Sequence, residues 1–324
     1  KIKPLSNGLF MFFYTNKPMN HPAVFYQLFL FRKIIVTCGQ KRKPMKTREI
    51  RRTVRGSRQI DGAGVHLVRV FGQRDVKDFD PFLMLDAFDS KNPEDYVKGF
   101  PWHPHRGIET VTYLISGRID HMDSLGNKGT IGAGGCQWMT AGSGILHQEM
   151  PIASDRMLGA QLWVNLAAKD KMTEPKYRDI TADMVPVLKD EDGEIRILSG
   201  VYERTPGAIQ PDHIHVLYLD VMVYPGKTSI IHVKPDENVF VYVIDGGGTT
   251  GEKSQPLQSH TAVLFDKGDR LIFNAEDKGL RLFLLSGESL NEPVSWGGPV
   301  VMNTWEELEL AFEQLENGTF IKHG

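Results

Sequence analysis

From Gly64 onward the chain is written in short apolar or alternating runs, broken by Gly, Asp, Asn and Pro. These are VHLVRVFG (65–72), ETVTYLISG (109–117), GAQLWVNL (159–166), HVLYLDVMV (215–223), NVFVYVIDG (238–246), TAVLF (261–265), DRLIFN (269–274) and RLFLLSG (281–287). Runs of this length, rich in Val, Ile, Leu, Tyr and Phe and bounded by turn residues, predict β-strands of a sandwich or barrel. One segment has a different period. Leu308, Phe312 and Leu315 form a helical stripe, Thr304 with Glu307 makes a capping box, and Gly318 supplies the stop. The expectation is an all-β chain closed by a short helix.

The strand pattern repeats once. TVTYLISG, ending at Gly117, and FVYVIDG, ending at Gly246, close similar strands 129 residues apart. A period of that length means duplicated domains and not a solenoid. The same shift puts His232 under His103, Lys234 under His105 and Asn238 under Glu109, so the second copy keeps the strand and loses most of its polar set. The charged stretch from Lys169 to Glu194, with Pro175 and Pro186, suits the connection. The expected division is a leader over 1–44, a first domain over 45–175, and a second domain over 176–324 that includes the helix.

With 41% apolar and 24% charged residues among 324, the chain can bury a sizeable core. Its net charge of −2 hides an asymmetry: residues 1–58 hold 14 Lys and Arg against one acid, Glu49, leaving −15 for the rest. The aromatic, acid-free leader reads as a non-folding extension, with an organellar presequence as the alternative. Nine of the 18 residues from Lys41 to Arg58 are basic, a cluster that suits nuclear import, polyphosphate binding or simply a solvated strand and loop. The acidic body argues against tight direct DNA binding. Val24–Thr37 is too short to span a bilayer and contains Arg32 and Lys33. Two cysteines, Cys38 and Cys136, favour a reducing compartment, where the sequon Asn317-Gly318-Thr319 has no use.

The chemistry concentrates in two segments. His103, His105 and Glu109 stand in WHPHRGIE, and His147 and Glu149 in GSGILHQEMP. In a strand, odd positions share a face. Val111, Tyr113 and Ile115 would make the odd face apolar and inward, carrying His103, His105 and Glu109 with it. Imidazoles and a carboxylate inside a barrel are costly unless paired, and a metal ion pairs them at least cost. The donor set, without thiolate, suits Fe, Mn, Ni, Cu or Zn. His213-Ile214-His215 repeats the spacing but precedes its strand, and reads as a surface turn. His121, His232 and His260 stand alone and are expected to be structural or exposed. Phe100, Trp102, Trp138, Met139 and Trp163 are candidates to line an aromatic-accepting pocket, or to be core.

His103-Pro104-His105 with Glu109 and Gly117 resembles the first cupin motif, and GSGILH (142–147) the second, with Gly142 where the general pattern has Pro. GFPWHPHRGIETVTYLISG, QWMTAGSGILHQEMP and the C-terminal GPVVMNTWEELELAF together resemble the pirin family, from about Val54 to Phe320. The resemblance implies a bicupin: two jelly-roll barrels face to face, with one iron in the first barrel and none in the second. It carries the ligands onto His103, His105, His147 and Glu149, and leaves Glu109 as an acid beside the ligands or facing substrate.

Two functions follow from that resemblance. Similarity to quercetin 2,3-dioxygenases implies flavonol opening by dioxygen with release of carbon monoxide, with Glu149 or Glu109 as base. The alternative is a non-enzymatic nuclear co-regulator that binds transcription factors and uses the iron as a redox sensor. A monomer, in nucleus and cytoplasm, is expected in either case.

Overall fold

The computed structural model describes residues 45–323. The leader, Cys38 and the first basic residues of the Lys41–Arg58 cluster therefore lie outside the described residues. The strands form at or near the apolar runs, as Val65–Phe71, Ile108–Ser116, Met157–Asn165, Leu217–Val223 and Thr261–Phe265. Two run further than their apolar cores. Asn238–Thr250 continues past its turn glycine, and the two runs 269–274 and 281–287 fuse into one strand, Arg270–Gly287. Gly246 and Gly279 lie at positive φ where these strands bend around the barrel corner, and that conformation lets them continue where a break was expected.

The first barrel consists of a seven-stranded sheet, from Lys176–Ile180 at one edge to Ser57–Asp61 at the other, and a separate four-stranded sheet containing Phe100–His105 and Ile145–Ile152. The second barrel is one nine-stranded sheet wound on its long bent strands. The crossing falls between Ile180 and Val187, slightly later than the expected 175/176 division, because Lys176–Ile180 still pairs with Cys136–Thr140 of the first barrel.

Both described ends cross over. Ile50–Arg55 pairs with Thr261–Phe265 of the second barrel before the chain enters the first, and the hairpin Ser295–Gly297/Val300–Met302 returns to the first barrel, where Val300 bridges Arg106. The basic stretch is accordingly not all solvated. Arg48 is fully buried and donates to the carbonyls of Lys234, Pro235, Glu237, Asp266 and Gly268. Arg51 and Arg52 pair with Asp75 and Asp78.

The barrels differ inside. The interior of the second is continuously apolar, with Val239, Val241, Val243, Leu282 and Leu284 among its residues. A further core joins the two barrels, in which Val111, Tyr113, Trp138 and Leu162 of the first pack with Tyr218, Phe240, Tyr242 and Phe283 of the second. The odd residues of Ile108–Ser116 thus face the partner barrel, and the even ones, Thr110, Thr112 and Leu114, face the interior. This inverts the expected inward face, and the cause is the corner Arg106–Gly107. Gly107, at φ +77°, ends one strand and starts another in a different sheet, so parity does not carry across it.

The terminal helix is Trp305–Glu316, with both halves of the Thr304–Glu307 capping box formed and Leu308 and Ala311 on its buried face. Among the described residues no helix is long and apolar enough to cross a membrane.

Candidate metal centre

Phe100–His105 and Ile145–Ile152 are antiparallel neighbours in the four-stranded sheet, with His103 directly opposite His147. Cross-strand partners on one face put their side chains within contact distance, and His105 shares that face two residues on. Three imidazoles converge, with ring centroids 4.3 Å apart for His103–His147, 4.9 Å for His103–His105 and 5.0 Å for His105–His147. One nitrogen from each lies within 4.8 Å of the others.

Two of the three rings are oriented by backbone carbonyls. His103 Nδ1 bonds Pro101 O at 2.8 Å, and His105 Nδ1 bonds Pro299 O at 3.1 Å. A carbonyl only accepts, so both Nδ1 atoms carry a proton and Nε2 is the atom each ring has left to offer a metal. His147 is 1% exposed, and neither of its ring nitrogens has a hydrogen-bond partner. Burial, helped by the neighbouring His103, pushes the His105 pKa down to about 3, and burial followed by the neighbouring His105, His103 and His121 holds His147 well below the usual histidine value. His105 and His147 are therefore neutral at pH 7. Neutral imidazoles with unengaged nitrogens aimed at one point are the donor set of a transition-metal ion, which would satisfy the orphaned nitrogens of His147. The residues fit a metal, and iron is among the ions they suit.

Glu149, 4% exposed, faces the same cavity, after a register shift in the pairing between His147 and Glu149. Its Oε1 accepts from Thr112 Oγ1 at 3.1 Å and its Oε2 from Gln161 Nε2 at 2.7 Å, so the carboxylate stands beside the converging imidazole nitrogens and outside their cluster. Glu109 is not brought to the cavity. From the opposite face of Ile108–Ser116 its Oε1 accepts from Thr140 Oγ1 at 2.6 Å; burial raises its pKa, and the charges that temper the rise are those of His213 and Arg178. The cause is the parity break at Gly107.

The cavity outside the triad measures about 900 Å³. Phe100 and Trp163 line it as expected, with Trp163 edge-on to His105 at 4.9 Å, while Trp138 packs between the barrels and half-exposed Trp102 lies outside the lining. Met139 belongs to a separate core cluster with Trp163 and Ile145. His121 is buried against Tyr177, stacked at 4.1 Å, and bonds Asp123; His232 is exposed beside Glu203; His213 contacts Asp170 away from the centre. The residues absent from the sequence reading are Thr112, Gln161, Trp296 and Pro299. Gln161 had a local signal, being a polar residue in the middle of a mostly apolar strand.

The profile described as Pirin matches residues 64–164, and that described as Pirin C-terminal cupin domain matches residues 218–321. A pirin-like protein of Caulobacter vibrioides is 41% identical over 279 residues, spanning 85% of this chain and 100% of the relative. A pirin-like protein of Solanum lycopersicum is 38% identical over 270 residues, covering 80% of this chain and 88% of its own length. Among solved structures, a quercetin 2,3-dioxygenase from Acinetobacter baumannii superposes with a TM-score of 0.77 at 30% identity, covering 85% of this chain and 99% of that one.

Proposed function

The chain belongs to the pirin family, and from that premise we propose that it is an iron-dependent dioxygenase of the quercetin 2,3-dioxygenase type, taking a flavonol and dioxygen and releasing carbon monoxide. The observation that carries the reading is the convergence of His103, His105 and His147, the first two of which line a cavity with an aromatic wall. Its roughly 900 Å³ is in the range of pockets that take drug-sized ligands. A bound iron would supply a Lewis-acid and redox-active site for substrate and dioxygen.

The chain's own groups do the rest. Trp163, Phe100 and Trp296 offer apolar faces on which a flat polyphenol stacks. Glu149 is the ionisable group positioned to take the proton of the flavonol 3-hydroxyl, and it is also the carboxylate available to complete the metal's protein donors. Thr112 and Gln161 fix it from behind, each donating to one of its oxygens. Glu109 has no part at the reacting atoms.

Protein purified without added metal should contain one iron per chain and, when supplied with quercetin, should consume dioxygen and release carbon monoxide. A fully iron-loaded preparation inactive against a flavonol panel, under conditions where a flavonol dioxygenase control turns over, would refute the enzymatic reading. Glu149→Gln should lower turnover by about 10²-fold or more, the usual scale for removing a general base, with substrate binding largely kept.

A further inference from the structure

The segment that follows the second barrel returns as a strap across the first, and it supplies the Pro299 carbonyl that orients His105. Two buried cations of the first barrel hold this strap. Arg106, 2% exposed, donates Nε to Ser143 O, Nη1 to Gln314 Oε1 and Nη2 to Phe320 O, with its guanidinium 4.1 Å over the Phe320 ring. Lys171, 1% exposed, donates to Gly107 O at 2.9 Å, Asn165 Oδ1 at 2.7 Å and Val301 O at 2.8 Å.

The Lys171 arrangement is unusual in its economy. Its Nζ makes three hydrogen bonds, all to neutral oxygens and none to a carboxylate. Burial without a contacting counter-charge pushes the Lys171 pKa down to about 7, a cost that simple docking of a hairpin would not require. Its placement suggests what it does. Gly107 is two residues beyond His105, and Val301 is two residues beyond Pro299, so Lys171 ties together the chains on both sides of the His105–Pro299 bond. The joint has no slack, since a Cβ at Gly107 would lie 2.0 Å from Val301 O.

We propose that Lys171 is a positioning residue of the metal centre: by pinning Val301 against Gly107 it holds the Pro299 carbonyl on His105 Nδ1, which keeps Nε2 turned toward His103 and His147. The C-terminal strap is then part of the centre's orienting shell, and the second half of the chain completes a site whose ligands all belong to the first. This rests on the metal-binding reading above.

The test uses the full chain with Co²⁺ as probe. Competition against a chromophoric chelator gives the Kd, and the visible bands of the bound ion read its ligand geometry. Lys171→Met should weaken Co²⁺ binding by about 10- to 100-fold, the scale on which groups that orient metal ligands act, and should alter the bands. Arg48→Lys loosens the N-terminal strand on the second barrel; it should lower Tm and leave Kd and bands unchanged, which separates positioning from general instability. If Lys171→Met does not fold, Pro299→Gly, which frees the backbone at the carbonyl itself, should show a smaller loss in the same direction. Parental Kd and bands in the folded variant, or an equal loss in Arg48→Lys, would overturn the proposal. An unaltered chain that binds no Co²⁺ would overturn the metal reading too, a result visible before any variant is made.

Discussion

At the scale of single residues, His147 is the most exacting. Buried with both ring nitrogens unpartnered, it stands opposite His103 and has no structural bond to lose. His147→Ala should therefore abolish stoichiometric metal binding, read by metal analysis of the purified protein, and leave the metal-free Tm nearly unchanged. The metal-free chain should also be acid-sensitive in a defined window. His105 has a folded pKa of about 3, and His147 lies well below its ordinary value, whereas both bind protons near pH 6.5 when unfolded. The unfolded state then holds more protons below about pH 6.5, so stability present above that pH is lost as pH falls toward 3. Metal-free Tm measured across pH 7 to 4 should decline, and the decline should be shallower in a His105→Gln/His147→Gln protein. The convergence of His103, His105 and His147, with Glu149 on the same cavity, was legible because two-residue spacing within one strand survives folding. Glu109 was misplaced because an argument from parity assumes one continuous strand, and Gly107 ends it.

At the scale of elements, the 129-residue repeat holds down to which way side chains point. Thr110, Thr112 and Leu114 face the interior of the first barrel, and their counterparts Val239, Val241 and Val243 face the interior of the second. Where the first barrel places the threonine that bonds Glu149, the second places valine. The second interior closes as hydrocarbon along the same strand that carries the repeat. The terminal helix was legible for a local reason, since its cap and stop depend on residues three or four apart. Thr304 Oγ1 accepts from Glu307 N, and Glu307 Oε2 accepts from Thr304 N. Thr304→Ala should cost about 1 kcal/mol, measured as a shift in denaturant midpoint at unchanged m-value, and Thr304→Ser much less.

At the scale of the whole molecule, the two barrels share one core and exchange their ends. Tyr113 of the first barrel donates to Asp220 Oδ2 of the second at 2.8 Å, and Arg281 closes a two-pronged bond on the same buried carboxylate. Arg281→Met would leave that carboxylate buried without its counter-charge and should cost about 3 kcal/mol or more. Because Arg48 stitches the N-terminal strand to the second barrel and Arg106 and Lys171 stitch the C-terminal strap to the first, neither half is covered when the other opens. Calorimetry of the metal-free chain should show one transition for both barrels, and two resolved transitions would contradict this account.

By itself the sequence determined the strands, the duplication, the terminal helix and the imidazole set, since each is a pattern of hydrophobic period, cap or spacing within a few residues. Tertiary structure alone decided which face of Ile108–Ser116 is the inside, that Glu109 stays out of the cavity, and that Gln161, Thr112 and Pro299 support the site. Pro299 meets His105 across 194 residues, and Arg48 meets its carbonyls across some 190 to 220. Contacts at such separations are fixed by how sheets close and chain ends cross, and no local periodicity records them.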